Sequence, residues 1–296
     1  MSTTIAVVLP CYRQARFLPD ALASLEAQTR RPDHVVVVDD GSPDNVKGAV
    51  EPFEGVELIQ QENRGLSQAR NRGLGRIDTD FVLFLDSDDR LRPEALEVLE
   101  RALVERPEAA FAWGFNEPND VDWNPMPWGP TWFEGEPSYE KLLERNAVGA
   151  PLGVLFRRAA IAELGGFDAS LPAVEDYDMY LRLAREHPYV CVHRVIADYR
   201  HHGGNMSQDH PLMYRSHIEV LERQDPWVEG RPVLEAARRR GVRSARRHFL
   251  APVRLERVAN ALERQQWVTA TREAIGLMVR HPGVFTAVVR RRLGRR

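Results

Sequence analysis

Three carboxylates fall within four residues at Asp86-Ser87-Asp88-Asp89, directly after the apolar run Phe81-Val-Leu-Phe-Leu85. Side chains crowded in this way repel one another, and nothing in the apolar run compensates them. A hard divalent cation, Mg2+ or Mn2+, would do so, because it prefers oxygen ligands and keeps positions open for a substrate's phosphates. The plainer alternative is a helix N-cap with acidic first-turn residues ahead of Pro93, which explains one aspartate well and three poorly. A second acidic pair, Asp39-Asp40-Gly41-Ser42, follows Val35-Val-Val-Val38. One carboxylate here can accept a hydrogen bond from the ring N–H of a base, and Gly41 lets the chain turn sharply; an ordinary Asx or glycine turn uses the same residues. Tyr12 can stack on a planar base or simply pack.

The elements that must position these groups are visible as apolar runs and periodicity. Residues 5–9 and 35–38 are continuous β-branched runs, the pattern of strands covered on both faces. Between them Phe17, Leu18, Ala21, Leu22 and Leu25 recur at helical spacing, giving one βαβ unit. Strands at 56–60, 81–85 and 109–115 and helices over 66–76 and 93–105 continue the alternation, which specifies an α/β fold with a Rossmann-like, mostly parallel sheet flanked by helices. Ligands of such sheets lie beyond the carboxyl ends of the strands, so the loops Pro10–Arg13, Asp39–Ser42 and Asp86–Asp89 carry the chemistry. After residue 115 the alternation stops. Residues 116–137 hold five prolines and three tryptophans, Trp123, Trp128 and Trp132, and read as a loop over a binding site, an aromatic substrate surface, or a plug on one sheet face. Helical patterning returns at 138–145, 158–164 and 174–184, and fills the chain from Pro211 onward.

Pro10-Cys-Tyr12, Asp39-Asp-Gly-Ser42, Asn63-Arg-Gly-Leu-Ser-Gln-Ala-Arg-Asn-Arg-Gly73, Asp86-Ser-Asp-Asp89, Gly165-Gly-Phe-Asp168 and Glu175-Asp176 ahead of Leu181-Arg-Leu183 follow one another in a telling order. Over roughly residues 4–208 the sequence resembles the family 2 inverting glycosyltransferases of the GT-A fold. The resemblance implies a catalytic domain over 1–210, with a nucleotide-binding half (1–115) and an acceptor-side half (116–210), followed by a helical basic extension over 211–296. It implies transfer of a sugar from a UDP, dTDP or GDP sugar to a hydroxyl of a glycan or lipid-linked acceptor, in cell-surface glycan synthesis. Pro10 and Tyr12 would meet the nucleotide, with Tyr12 stacked on the base. Asp40 would take its ring N–H, Asp39 would support the loop, and Arg70 would sit near base or ribose. Asp86 and Asp88 match the Asp-x-Asp element, Asp88 reaching the Mg2+ or Mn2+ and Asp86 lying toward ribose or metal. Asp176 matches the general base that deprotonates the acceptor. In Tyr199-Arg-His-His-Gly-Gly-Asn205, His202 matches a histidine frequent in the family and could be a further metal ligand or a proton donor; a solvated loop histidine is the alternative. Arg13 departs from the family, where asparagine is common.

Composition sets the outer bounds. With 296 residues, 43% of them hydrophobic, the chain is neither disordered nor fibrous, and Cys11 and Cys191 cannot build a disulfide scaffold or a cysteine zinc cluster. The start lacks a basic n-region and no run approaches a membrane span, so a cytoplasmic protein is expected, peripheral at the inner membrane face at most. The net charge of −3 hides an asymmetry: residues 231–296 hold 17 arginines and no lysine against four glutamates, a net +13 that leaves about −16 on the first 230. An acidic body argues against nucleic acid as a partner; the basic helices over 234–280 are expected to pack on that body with their arginines in solvent, while residues 285–296 suit an anionic membrane. Two competing functions remain. A nucleotidyltransferase would need a Gly-rich loop after the first strand, and Pro10-Cys-Tyr-Arg-Gln-Ala has none. A catalytically inactive binding module would have no use for the acidic cluster.

Overall fold

The computed structural model of the chain describes residues 3–280 and divides into two units, residues 1–142 with 146–205, and residues 143–145 with the segment from 206 onward. The first unit is built on eight strands, Ile5–Cys11 (β1), His34–Asp39 (β2), Val56–Gln60 (β3), Phe81–Phe84 (β4), Arg90–Leu91 (β5), Phe111–Asn119 (β6), Val154–Arg157 (β7) and Tyr189–Arg200 (β8), in the order β3-β2-β1-β4-β7-β6-β8-β5. β1 to β4 pair in parallel, as does β6 with β8, whereas β7 runs antiparallel to β4 and β6, and β5 to β8. The helices are Leu18–Glu26 (α1), Val46–Val50 (α2), Leu66–Leu74 (α3), Ala95–Glu105 (α4), Tyr139–Glu144 (α5), Arg158–Glu163 (α6) and Glu175–Glu186 (α7). α1 buries Leu18, Ala21, Leu22 and Leu25, the stripe read from the sequence. Every residue of β1 and β4 is buried, which is why both read as unbroken apolar runs; each such large side chain contributes about 1.5–3 kcal/mol.

Two expectations change. β1 continues through Pro10 to Cys11, so Pro10 is a buried strand residue rather than part of the loop. The carbonyls of Thr4 and Val8 accept from Phe81 and Leu85 on the β4 side, while those of Ile5 and Cys11 accept from Asp33 and Asp40 on the β2 side. Pro10 therefore turns its missing N–H toward β4, past the last pairing at Val8. The alternation also does not stop at residue 115, for β7 and β8 complete the sheet and β6 runs on to Asn119. β8 mixes buried and exposed positions, so it lacks the apolar run that reveals the other strands.

The second unit is helical, as the sequence indicates: His210–Glu222 (α8), Asp225–Val228 (α9), Pro232–Ala245 (α10), a π-helical turn at Arg246–Leu250, Ala251–Glu263 (α11) and Trp267–Arg280 (α12). Part of its arginine excess is matched internally, Arg238 by Asp225 at 2.9 Å and Arg254 by Glu273 at 3.4 Å. No helix among the described residues is long and apolar enough to cross a membrane, and residues 285–296 lie outside them.

His217 Nδ1 donates to the Met213 carbonyl at 2.9 Å, and its ring lies 4.6 Å from that of Phe249 in the π-turn. Burial, helped by His248, pushes its pKa down to about 4 against the Met213 bond. The unfolded chain therefore binds the extra proton, and stability that is whole above about pH 6.5 falls as the pH drops toward 4, by roughly 2–3 kcal/mol. Urea titrations between pH 7 and 4 should show that loss, and His217→Phe should flatten it.

Candidate active site

Cys11 is in register with Asp39 and Val8 with Phe84, so the ends of β2, β1 and β4 lie side by side and their loops open on one edge of the sheet. Asp39 holds its own turn, accepting from Ser42 N–H at 2.8 Å and Gln60 Nε2 at 3.1 Å. Asp40 accepts from Gln61 Nε2 and Arg64 N–H on Oδ1, and from Gly65 N–H on Oδ2, at 2.8, 2.9 and 2.9 Å. A carboxylate offers about four lone-pair sites, so one is left for a ring N–H. Gly41 takes φ +70°, and a Cβ there would lie 2.8 Å from the Asn63 nitrogen; the turn and the close approach both require glycine. Tyr12 is 40% exposed, with the Arg13 guanidinium 5.1 Å from its ring centre. Arg13 has φ 59°, a conformation asparagine tolerates better than most, which gives the family's usual residue a physical reason.

Arg70, the residue expected near base or ribose, is 1% exposed. Its Nη2 donates to Asp86 Oδ1 at 2.7 Å and its Nη1 to Glu175 Oε1, while its Nε is buried without a partner. Burial works against the guanidinium charge, and Asp86, Glu175 and Asp176 together more than offset it. Arg70 thus joins the Asp-x-Asp element to the start of α7. Burial and the neighbouring Asp88 charge push Asp86 up, against the pull of Arg70. Asp89 is pushed up further, by burial and then by Asp88 and Asp86; its Oδ1 accepts from Arg200 N–H at 2.8 Å and its buried Oδ2 has no partner. Asn71, one residue on, clasps Phe167 by both its amide groups at 2.8 Å, so the Asn63–Gly73 and Gly165–Asp168 motifs interlock. Gly166, at φ +83°, leaves the room Asn71 needs, since a Cβ there would lie 2.4 Å from its Oδ1. Replacing Arg70 by Met leaves Asp86 and Glu175 buried without their cation. That change is expected to destabilise the first unit by about 3–5 kcal/mol, read from denaturant midpoints, with a part recovered by adding Glu175→Gln.

The pairing of β5 with β8, Arg90 opposite Asp198, folds the acidic loop back onto the strand that leads to His201 and His202. Asp88 Oδ2 consequently meets Gln14 Nε2 and His202 Nε2, each at 2.8 Å, and Asn205 Nδ2 at 3.4 Å. Gly204 N–H donates to His202 Nδ1 at 3.1 Å, which puts the ring proton on Nε2, facing Asp88. Among the described residues no three His, Cys, Asp or Glu side chains group closely enough to hold an ion by themselves. The expected set of Asp86, Asp88 and His202 is therefore not a closed three-ligand site, because Asp86 is turned to Arg70. The donors still fit a hard cation. Adjacent ligands of an octahedral ion lie about 3 Å apart at the 2.0–2.1 Å bond length of Mg2+, close to the Asp88–His202 separation, and such ions commonly take one or two carboxylates and complete their shell with phosphate oxygens. Binding through His202 Nε2 would require the proton to move to Nδ1 and Gly204 N–H to turn away.

Asp176 is half-buried on the first turn of α7. Burial first, then Glu175 and Asp86, push its carboxyl up to about 8 against the pull of Arg70. Val174 just before it takes φ 67°, a left-handed conformation that costs a β-branched residue of order 1–3 kcal/mol, so strain is stored where the two carboxylates begin. Asp86, Glu175 and Asp176 thus share one field around Arg70. Sequence reasoning missed Gln14, Asn205, Glu175 as the partner of Arg70, and Tyr180, whose buried hydroxyl has no partner and lies in the same field one turn beyond Asp176. Of the three tryptophans, Trp123 is packed between the guanidinium groups of Arg90 and Arg200, at 4.1 and 3.9 Å, while Trp128 and Trp132 are exposed.

The sequence profile described as "Glycosyl transferase family 2" matches residues 6–165. An uncharacterized glycosyltransferase of Haemophilus influenzae is 28% identical over 187 residues, 62% of each chain, so this chain spans about three fifths of that relative's length. Two solved structures share the fold: Staphylococcus aureus TarS 1–349 in complex with UDP-GlcNAc (TM-score 0.60, 16% identity, 94% of this chain and 92% of that one) and a Pyrobaculum calidifontis mannosyltransferase in complex with GDP-Man and Mn2+ (TM-score 0.62, 17% identity, 94% and 87%).

Proposed function

The chain belongs to glycosyltransferase family 2, and on that premise we propose that it moves a sugar from a nucleoside diphosphate sugar to an acceptor hydroxyl with inversion at the anomeric carbon. The observation that carries this reading is Arg70, held between Asp86 and Glu175, because it ties a diphosphate-side carboxylate to the residue next to a carboxyl suited to general base work. Tyr12 offers its exposed ring to the base, and Asp40 its remaining lone pair to a ring N–H. Mg2+ or Mn2+, held by Asp88 with His202 and Asp86 beside it, would supply positive charge to the departing diphosphate. Asp176 accepts the acceptor's proton as the hydroxyl attacks from the face opposite the leaving group; with its carboxyl pushed up to about 8, the ionised form is a stronger base than an ordinary carboxylate and predominates above that pH. Glu175 and Asp86 are both engaged by Arg70, which leaves neither free as a covalent nucleophile and supports a single displacement. UDP, dTDP and GDP sugars are the donor classes in this reading, and a glycan or lipid-linked sugar the acceptor. Peripheral contact of residues 285–296 with an anionic membrane belongs to the same proposal, supported by their five arginines.

Thermal-shift measurements with UDP, dTDP and GDP, each with and without Mn2+, test the reading. One nucleotide is expected to raise the midpoint clearly more with Mn2+ than without it. No manganese-dependent rise with any of the three would overturn it.

A further inference from the structure

The irregular segment 120–137 is held at both ends and bare in the middle. At its start Trp123 stacks between Arg90 and Arg200 and donates Nε1 to Asp20 Oδ2 at 3.3 Å. Near its end Phe133 is buried edge-on against Trp113, 5.4 Å between ring centres. Between these anchors Trp128 is 63% and Trp132 53% exposed, Trp132 resting edge-on against Phe115 with 4.6 Å between ring centres. Four prolines in this stretch stiffen it, so the two indoles are presented on a preorganised support. Leaving two of the largest apolar side chains in water forfeits burial that a loop of purely structural purpose would use.

The packing of Trp128 links the segment to the transfer chemistry. Trp128 packs edge-on against the His201 ring at 5.7 Å, His201 against Tyr199 at 4.9 Å, and the next residue is His202, at Asp88. The segment carries Asp120, Asp122, Glu134 and Glu136 and no lysine or arginine, while the nearby Arg90 and Arg200 are already matched by Asp198 and Asp20. An acidic segment that exposes two indoles and several hydrogen-bond acceptors suits a ring with an apolar C–H face and uncharged hydroxyl edges. It repels uronates, sulfates and phosphates.

We propose that Trp128 and Trp132 form an acceptor platform that stacks the pyranose rings of an uncharged oligosaccharide. The inference deepens the proposed transfer reaction and rests on it for the ligand's role as acceptor. The full chain, applied to an array of neutral and anionic oligosaccharides, is expected to bind neutral pyranosyl glycans, and the Trp128→Ala/Trp132→Ala variant to bind them at least ~10-fold more weakly. Both substitutions are at exposed positions, and an unchanged manganese-dependent nucleotide shift in the variant shows that it is folded with its donor site intact. Equal binding by variant and native chain, absence of binding to every neutral glycan, strongest binding to uronate- or sulfate-bearing glycans, or tryptophan-dependent binding to phosphatidylcholine vesicles in place of glycans would each overturn the platform. Loss of the nucleotide shift in the native chain would instead overturn the transfer reaction and leave the array result readable.

Discussion

Asp176→Asn is expected to lower sugar transfer by about 10²–10⁴-fold while manganese-dependent nucleotide binding survives, since the change removes a proton acceptor and keeps the side chain's shape. The carboxylate of Asp176 lies in the field of Arg70, Glu175 and Asp86 but makes no direct hydrogen bond to any of them, so its amide leaves the Arg70 bridge standing. In the native chain only the ionised form acts as base. Transfer should therefore rise with pH and level off above about pH 8, and the residual activity of the variant should lose that dependence. Single-turnover release of the nucleoside diphosphate measures both. Normal turnover in the asparagine variant would remove Asp176 from the mechanism.

Asp88→Ala should strike the other half of the reaction. Three donors, from Gln14, His202 and Asn205, converge on Asp88 Oδ2, so the side chain is fixed before any ligand arrives. Its removal leaves the three donors without their acceptor and a cation without its best oxygen ligand. We expect the manganese-dependent part of the nucleotide thermal shift to vanish, a weaker metal-free shift to persist through Tyr12 and Asp40, and turnover to fall by about 10²-fold or more. A manganese-dependent shift of native size would show that the ion is held elsewhere. Asp88→Asn separates shape from charge, because the amide can still accept from one donor but binds a divalent cation poorly.

Much of the first unit was legible because burial leaves a mark on composition. β1, β2 and β4 read as continuous apolar runs because most of their residues are buried, and α1 displays one apolar stripe. β5 has two residues and β7 four, too few for any period, and β8 is exposed at His193 and Arg194 in its middle. The candidate site was marked where charge is concentrated, at Asp86 and Asp88, because crowded carboxylates are improbable without a purpose, and at Asp176 only through the family resemblance. It was not legible where neutral amides do the holding. Gln14 and Asn205 carry no signature in the chain, and their roles appear only once β5 and β8 bring residues over seventy positions apart within 3.4 Å. Arg70 was singled out by its motif, but its ion pairs were not legible, since a sequence shows that a cation is present and not that two carboxylates have enclosed it.

The enclosed guanidinium of Arg70 also limits how this protein can be recombined. A chimera joining residues 1–115 to the acceptor half of another enzyme would inherit a buried cation whose counterpart, Glu175, had been left behind, and the reciprocal graft would inherit a sealed-in carboxylate. Either hybrid would carry an uncompensated interior charge, an expected penalty of about 3–5 kcal/mol before specificity is even considered. Exchanging only the stretch around Trp128 would leave that buried ion pair intact, whereas trading whole halves would split it.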